Sequence, residues 1–203
     1  MARVDILVPT IGRSSLEVAI ASAVRQTYRN GRVVIVGDGP QPDARSVARW
    51  VQRRWGAVEY RETPERFGHG DGVKHWWLAQ DECSEWVKFL DDDDTLHPAC
   101  VATMMAAAGA RVSVVLCEML MVFTARNGCA ARMRIVPGEM QPGAVGTGSM
   151  LVQRDRARGI AWPRQPDGDF LFLRELANRG IVERVQFPLY NYHGYRDNNA
   201  RGY

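Results

Sequence analysis

Four consecutive aspartates, Asp91 to Asp94, directly follow the apolar run Trp86-Val87-Lys88-Phe89-Leu90. Adjacent carboxylates repel one another, and a fold tolerates them best beside a bound cation or in contact with water. On a strand-like path alternate side chains share a face, which places Asp91 and Asp93 together. Two such carboxylates can hold Mg2+ or Mn2+ and still leave coordination positions for phosphate oxygens. The plain alternative is a solvated acidic turn, but a turn needs no long apolar run feeding it.

Two other metal patterns compete for the cluster. A calcium loop starting at Asp91 needs Gly at its sixth position and Glu at its twelfth, and those positions hold Leu96 and Ala102. The D-x-D-x-T pattern of haloacid dehalogenase-type Mg2+ phosphohydrolases fits Asp91, Asp93 and Thr95, with Asp91 as nucleophile and Asp93 as acid/base. That motif normally follows the first strand of its domain, whereas roughly three strand–helix units precede it here.

The elements that must position the aspartates read as alternating strands and helices. Val4 to Val8 is a buried strand, and Ser14 or Ser15 can cap a helix reaching about Gln26. Arg32 to Val36 is a second strand, followed by a helix from Asp43 to Trp55 and a third strand near Val58 to Arg61. A loop over Gly68 to Gly72 leads into a helix from Gly72 to Gln80. Pro98 to Ala108 reads as a helix and Val112 to Phe123 as one long strand or two short ones. Residues 124 to 148 form a loop or hairpin excursion, and Phe170 to Asn178 a helix ended by Gly180. The tail from Tyr190 has no clear periodicity. This alternation implies an α/β fold with a mostly parallel sheet flanked by helices, ligands lying beyond the carboxyl ends of its strands.

Composition excludes several classes. With 203 residues the chain suits a single domain, and 46% hydrophobic with 24% charged residues argues against disorder. The net charge of +3 comes without a basic run interleaved with aromatics, so nucleic acid is not the expected partner. Arg53-Arg54 and the stretch Arg154 to Arg158 read as solvated faces. Cys83, Cys100, Cys117 and Cys129 form no C-x-x-C pair and read as free thiols in a reducing, cytoplasmic compartment. No signal-peptide pattern opens the sequence, and no run of about 18 apolar residues is present to span a membrane.

Four segments in order resemble the family 2 glycosyltransferases of the GT-A fold. Ile6 to Arg13 is similar to their opening strand and "PTYNR" loop, and Val34 to Pro40 to "IIVDDGS". Phe89 to Asp94, with Pro98, is similar to "FLDADD" and its downstream proline, and Gly168 to Gly180 aligns without gaps to the "ED" helix. The sequence departs from the pattern at Gly37 and Pro40 in the second motif, at Gly168 for the Glu of "ED", and in lacking the Asn of the first loop.

The resemblance implies an inverting, metal-dependent transfer from a nucleoside diphosphate sugar, a uridine diphosphate sugar favoured, to an unidentified acceptor hydroxyl. Residues 1 to 98 would bind the donor and 99 to 203 the acceptor and base. It implies that Pro9, Thr10, Ile11 and Asp38 line the base and ribose pocket, with the Asp38 carboxylate accepting from a uracil N–H. Arg13 and Lys74 would reach the diphosphate. Asp91 and Asp93 would hold Mn2+ or Mg2+, with Asp91 or Asp92 also contacting ribose and His193 as a third metal ligand. Asp169 would be the general base, with Asp167 as the fallback. Trp76, Trp77, Trp162 and the aromatics around His193 could stack on sugar rings. A homo-oligomer or partner subunit would complete acceptor recognition. The alternatives left standing are the phosphohydrolase and a non-catalytic protein that binds nucleotide sugars.

Overall fold

The computed structural model describes residues 1–56, 58–124 and 130–195. Its elements run β1 (Val4–Thr10), α1 (Leu16–Val24), β2 (Gly31–Gly37), α2 (Pro42–Trp55), β3 (Val58–Glu62) and α3 (Gly70–Ala79). They continue with β4 (Trp86–Phe89), β5 (Thr95–Leu96), α4 (Cys100–Ala107), β6 (Val112–Thr124) and β7 (Ala130–Val136). A single 3-10 turn, Thr147–Ser149, leads into β8 (Met150–Gln153), α5 (Arg154–Ala157), α6 (Gly168–Asn178) and β9 (Ile181–Tyr195).

All these strands join one sheet in the order β3-β2-β1-β4-β8-β6-β9-β5, with β7 paired to the outer part of β6. β1, β2, β3 and β4 are mutually parallel, β8 enters antiparallel to β4 and β6, and β6 runs parallel to β9. The architecture is therefore α/β with a mostly parallel sheet, as the alternation implies. β1 and β2 are near-continuous apolar runs because both of their faces are covered. Ile6, Val8, Val33 and Ile35 pack against α1, α2 and α4 through Leu16, Ile20, Ala48, Val51 and Met104. Leu7, Val34 and Val36 face the opposite way, toward Val73, Trp77, Phe172 and Leu176 of α3 and α6. No helix among the described residues is long and apolar enough to cross a membrane.

Three expectations change. β8 and β9 are strands that the sequence pattern does not announce. β9 breaks its alternation where its register to β6 jumps, from Cys117↔Val185 to Glu118↔Pro188, because a proline cannot donate to the ladder there. α6 ends on Arg179 in the right-handed region, not on a left-handed Gly180. Gly180 is needed instead for close approach, since a Cβ there would lie 2.7 Å from the Arg111 carbonyl oxygen. Finally, Arg154 is not solvated. It is 1% exposed and ion-paired through Nη2 to the fully buried Asp5 at 2.9 Å, while its other nitrogens donate to the carbonyls of Ser84 and Trp77. Arg32 meets the other Asp5 oxygen at 2.7 Å, and Ser84 Oγ donates to the first. Cys83 is exposed and Cys100 and Cys117 are buried, all free thiols; Cys129 lies outside the described residues.

Candidate active site

β1, β2 and β4 all end at the same edge of the sheet, and the loops beyond them form the site. Leu90 N–H still bonds to the Leu7 carbonyl, holding the chain beside β1 as it leaves β4, and the Asp94 N–H then closes a turn on the Asp91 carbonyl. This turn spreads the four aspartates over separate partners, except that Asp92 and Asp93 share Arg13. Asp91 Oδ1 meets Lys74 Nζ at 2.7 Å. Asp92 is buried; its Oδ2 accepts from Thr10 Oγ1 at 2.6 Å and its Oδ1 from Arg13 at 3.1 Å. Asp93 accepts from the same Arg13 nitrogen at 2.5 Å. Asp94 turns inward and accepts from Tyr190 OH at 2.5 Å and from the His193 N–H at 2.8 Å.

Burial pushes the carboxyls of Asp92 and Asp93 above the usual range, with Arg13 pulling both back down. Burial and the charge of Asp91 push Asp94 to about 7, against the hydrogen bond from Tyr190. Lys74 is 2% exposed. Its burial alone would lower its pKa, but Asp91, Asp71 and Asp169 outweigh that and hold the ammonium firmly charged.

Asp169 enters from the second half of the chain, on the sheet face that α6 shares with α3. It lies in the first turn of α6, yet its side chain does not cap the helix. Oδ2 accepts from the Thr147 N–H at 3.0 Å and Oδ1 from the Trp162 indole N–H at 3.2 Å. Burial raises its pKa to about 6, with Lys74 pulling down and Asp71 and Asp91 pushing up. Lys74 joins the two sides, since it also donates to Thr147 Oγ1 at 2.8 Å while it holds Asp91. Asp167 is exposed at the N-cap and takes no part in this cluster.

The model of glycosyl transferase family 2 matches residues 5–179. The chain belongs to that family. It is 30% identical over 109 residues to the GalNAc(5)-diNAcBac-PP-undecaprenol beta-1,3-glucosyltransferase of Campylobacter jejuni, a match that covers 53% of this chain and 35% of that protein. In structure it resembles S. aureus TarS 1-349 in complex with UDP-GlcNAc, with TM-score 0.73 at 16% identity over 95% of this chain and 58% of that one. It also resembles the mannosyltransferase PcManGT from Pyrobaculum calidifontis in complex with GDP-Man and Mn2+, with TM-score 0.66 at 15% identity over 93% of this chain and 56% of that one. At these identities the structural likeness establishes the fold, which is that of the GT-A glycosyltransferases. The chain thus spans about a third of the curated relative and under two thirds of these solved chains.

Membership of family 2 sets aside the phosphohydrolase reading, and Thr95 Oγ1 is turned instead to His193 Nε2 and Asn191 Nδ2, both at 3.2 Å. Among the remaining candidates of this family 2 chain, Pro9 and Thr10 are buried at the end of β1, and Ile11 is 56% exposed at the mouth. Asp38 is buried at the end of β2, and its two oxygens accept from the N–H groups of Phe67 at 2.6 Å and Gly68 at 2.8 Å, so it also holds the 63–69 loop. That loop is also more ordered than its glycines suggest. α3 begins at Gly70, with His69 Nδ1 accepting the Gly72 N–H as its cap.

Trp77 is buried and ringed by Arg32, Arg61 and Arg154, and Trp162 is stacked on Phe172 at 3.9 Å, so neither offers both faces to a sugar. Thr147 is a site residue that motif reading missed, while Trp162 and Tyr190 were read only as aromatics for stacking and Asp94 only as part of the acidic run. A shallow groove of about 530 Å³ between α2 and β3, lined by Arg45, Arg49, Glu59 and Tyr60, shares no residue with the site.

The donor set suits a hard divalent cation. Asp91 and Asp93 are partly exposed carboxylates, and His193 lies close enough to feel the charge of Asp93. Burial lowers the His193 pKa and favours the neutral imidazole that a metal requires. Among the described residues no three such side chains converge into a closed cage. A magnesium-like ion does not need one, since it binds through one or two carboxylates and completes its shell with phosphate and water.

Proposed function

We propose that the chain carries the transfer site of an inverting glycosyltransferase, moving a sugar from a nucleoside diphosphate sugar to an acceptor hydroxyl. One observation carries this reading: Lys74 links Asp91 of the acid turn, at 2.7 Å, to the Thr147 segment whose N–H holds Asp169. A donor-side carboxylate and a half-buried, hydrogen-bonded base are thus tied together through Lys74. A uridine diphosphate sugar is the first donor to test, in line with the ligand of the TarS complex.

Pro9, Thr10 and Ile11 would line the base and ribose pocket, and Asp92 would reach ribose. Arg13 and Lys74 would meet the diphosphate. Asp91 and Asp93 would hold Mn2+ or Mg2+, with His193 as a third ligand. When bound, the cation would supply neutralisation of the negative charge on the leaving diphosphate. The acceptor hydroxyl gives its proton to Asp169 as its oxygen attacks the anomeric carbon. The bond from that carbon to the diphosphate oxygen breaks on the opposite face, and its electron pair leaves with the nucleotide. Asp169 can take the proton because it is ionised at neutral pH yet more basic than an ordinary carboxylate.

Asp169→Asn tests this. It keeps shape and the acceptor oxygen but removes the base. Donor affinity should hold, while transfer falls by about 10²- to 10⁴-fold. Full transfer activity in this variant would remove Asp169 from the mechanism. Donor binding without transfer in the wild type, on any acceptor, would support a non-catalytic protein instead.

A further inference from the structure

Tyr190 lies in β9, about a hundred positions beyond the acid turn, and is 1% exposed. Its hydroxyl serves two partners at once. It donates to Asp94 Oδ2 at 2.5 Å and accepts from the Asp91 N–H at 3.3 Å. A phenol has one proton and two lone pairs, so both bonds are satisfied together. The other oxygen of Asp94 accepts from the His193 N–H at 2.8 Å. One hydroxyl and one carboxylate therefore fix the backbone of two residues assigned to the cation, Asp91 and His193, relative to each other.

The ring of Tyr190 reaches the third part of the site. Gly148 lies flat against it, so close that a Cβ there would come within 2.1 Å of Cζ. Lys88 Nζ sits 5.0 Å from the ring centroid and donates to the Gly148 carbonyl. Gly148 belongs to the turn whose neighbour, Thr147, holds Asp169 through its N–H. Packing alone would accept a phenylalanine here. The hydroxyl and the buried carboxylate opposite it need another reason.

We infer that Tyr190 is a positioning residue, which holds the Asp91–Asp93 turn and His193 at a fixed height against the Thr147–Ser149 turn, whose N–H holds the base. The inference rests on the transferase reading above. Its action is through other residues: its hydroxyl sets where Asp91 stands and its ring sets where Gly148 stands.

Tyr190→Phe removes only the hydroxyl and keeps the ring on Gly148 and Lys88. The measurement is Mn2+ binding to the folded protein, followed by electron paramagnetic resonance with and without uridine diphosphate, together with a thermal melt. Affinity for Mn2+ in the presence of the nucleotide should fall about 10- to 100-fold, the usual loss when a group orienting metal ligands is removed. Nucleotide affinity without Mn2+ should stay near wild type, and raised Mn2+ should restore nucleotide binding. A merely structural tyrosine would lower the melting temperature and leave Mn2+ affinity unchanged, which would overturn the proposal. If Tyr190→Phe does not fold, Asp94→Asn is measured in its place, and unchanged Mn2+ affinity there would overturn it equally. Wild-type protein that shows no Mn2+-dependent nucleotide binding would sink the metal-dependent reading on which the inference rests, a result distinct from either variant's.

Discussion

The base is defined by what touches it. Asp169 has one protein donor on each oxygen, and burial lifts its pKa to about 6. A base works only when deprotonated, so kcat/KM should fall as pH drops through about 6. The linkage to stability has the opposite sign. A carboxyl with a raised folded pKa binds its proton more tightly in the native state, so its contribution favours folding at low pH and is lost as pH rises through about 6. Trp162→Phe tests the orientation of the base. The ring can still stack on Phe172, but the N–H to Oδ1 is gone. The anionic form loses a donor, so the acid limb of the pH–rate profile should move to higher pH and the rate should drop. An unmoved limb would show that the indole only packs. At this scale Asp91, Asp93 and Asp169 were legible because they lie in short contiguous motifs. Asp38 was legible as a candidate, but its hold on the 63–69 loop was not. Its partners Phe67 and Gly68 lie 29 and 30 residues away, across a strand, a helix and a loop, and no local pattern reveals that contact.

Elements were readable where burial is two-sided or amphipathic, and unreadable where pairing decides. The apolar runs of β1 and β2 declare themselves. β8 is four residues long, and β9 alternates poorly because it bulges around Pro188, so both are defined by their neighbours β4, β6 and β5. Thr147 and Tyr190 reach the site only through those pairings. The same logic hid Arg154, which looks like one of a charged run until β8 joins β4 and places it on Asp5. That buried pair, at the strand end away from the aspartates, fixes the second half of the sheet to the first. Asp5→Ala would strand Arg154 in the interior, and urea unfolding should show a loss of about 3–5 kcal/mol. Replacing both, Asp5→Ala with Arg154→Met, removes the unpaired charge and should recover part of it. A single-variant loss below about 1 kcal/mol would show that Arg32 and Ser84 suffice.

Across the whole molecule the site draws on both halves of the sheet. Thr10, Arg13, Lys74 and the acid turn come from the first half, and Thr147, Trp162, Asp169, Tyr190 and His193 from the second. A ligand seated among them binds only the folded state, and its stabilisation follows from mass action, about 2.7 kcal/mol at a concentration 100 times its Kd. For a chain of this size each kcal/mol raises Tm by roughly 2–4 °C, so uridine diphosphate with Mn2+ should raise it by about 5–11 °C. Asp93 is the residue to remove. Its carboxylate is the more solvent-facing of the pair that accepts from Arg13, and it lies near His193, so it is the direct metal ligand in the proposed arrangement. Asp93→Ala should erase the Mn2+-dependent part of the shift and leave the small metal-free shift in place. Calorimetry should agree, with nucleotide affinity in saturating Mn2+ reduced to its metal-free value. Equal shifts for variant and wild type in saturating Mn2+ would mean that Asp93 does not hold the cation, and that the positive charge on the diphosphate comes from Arg13 and Lys74.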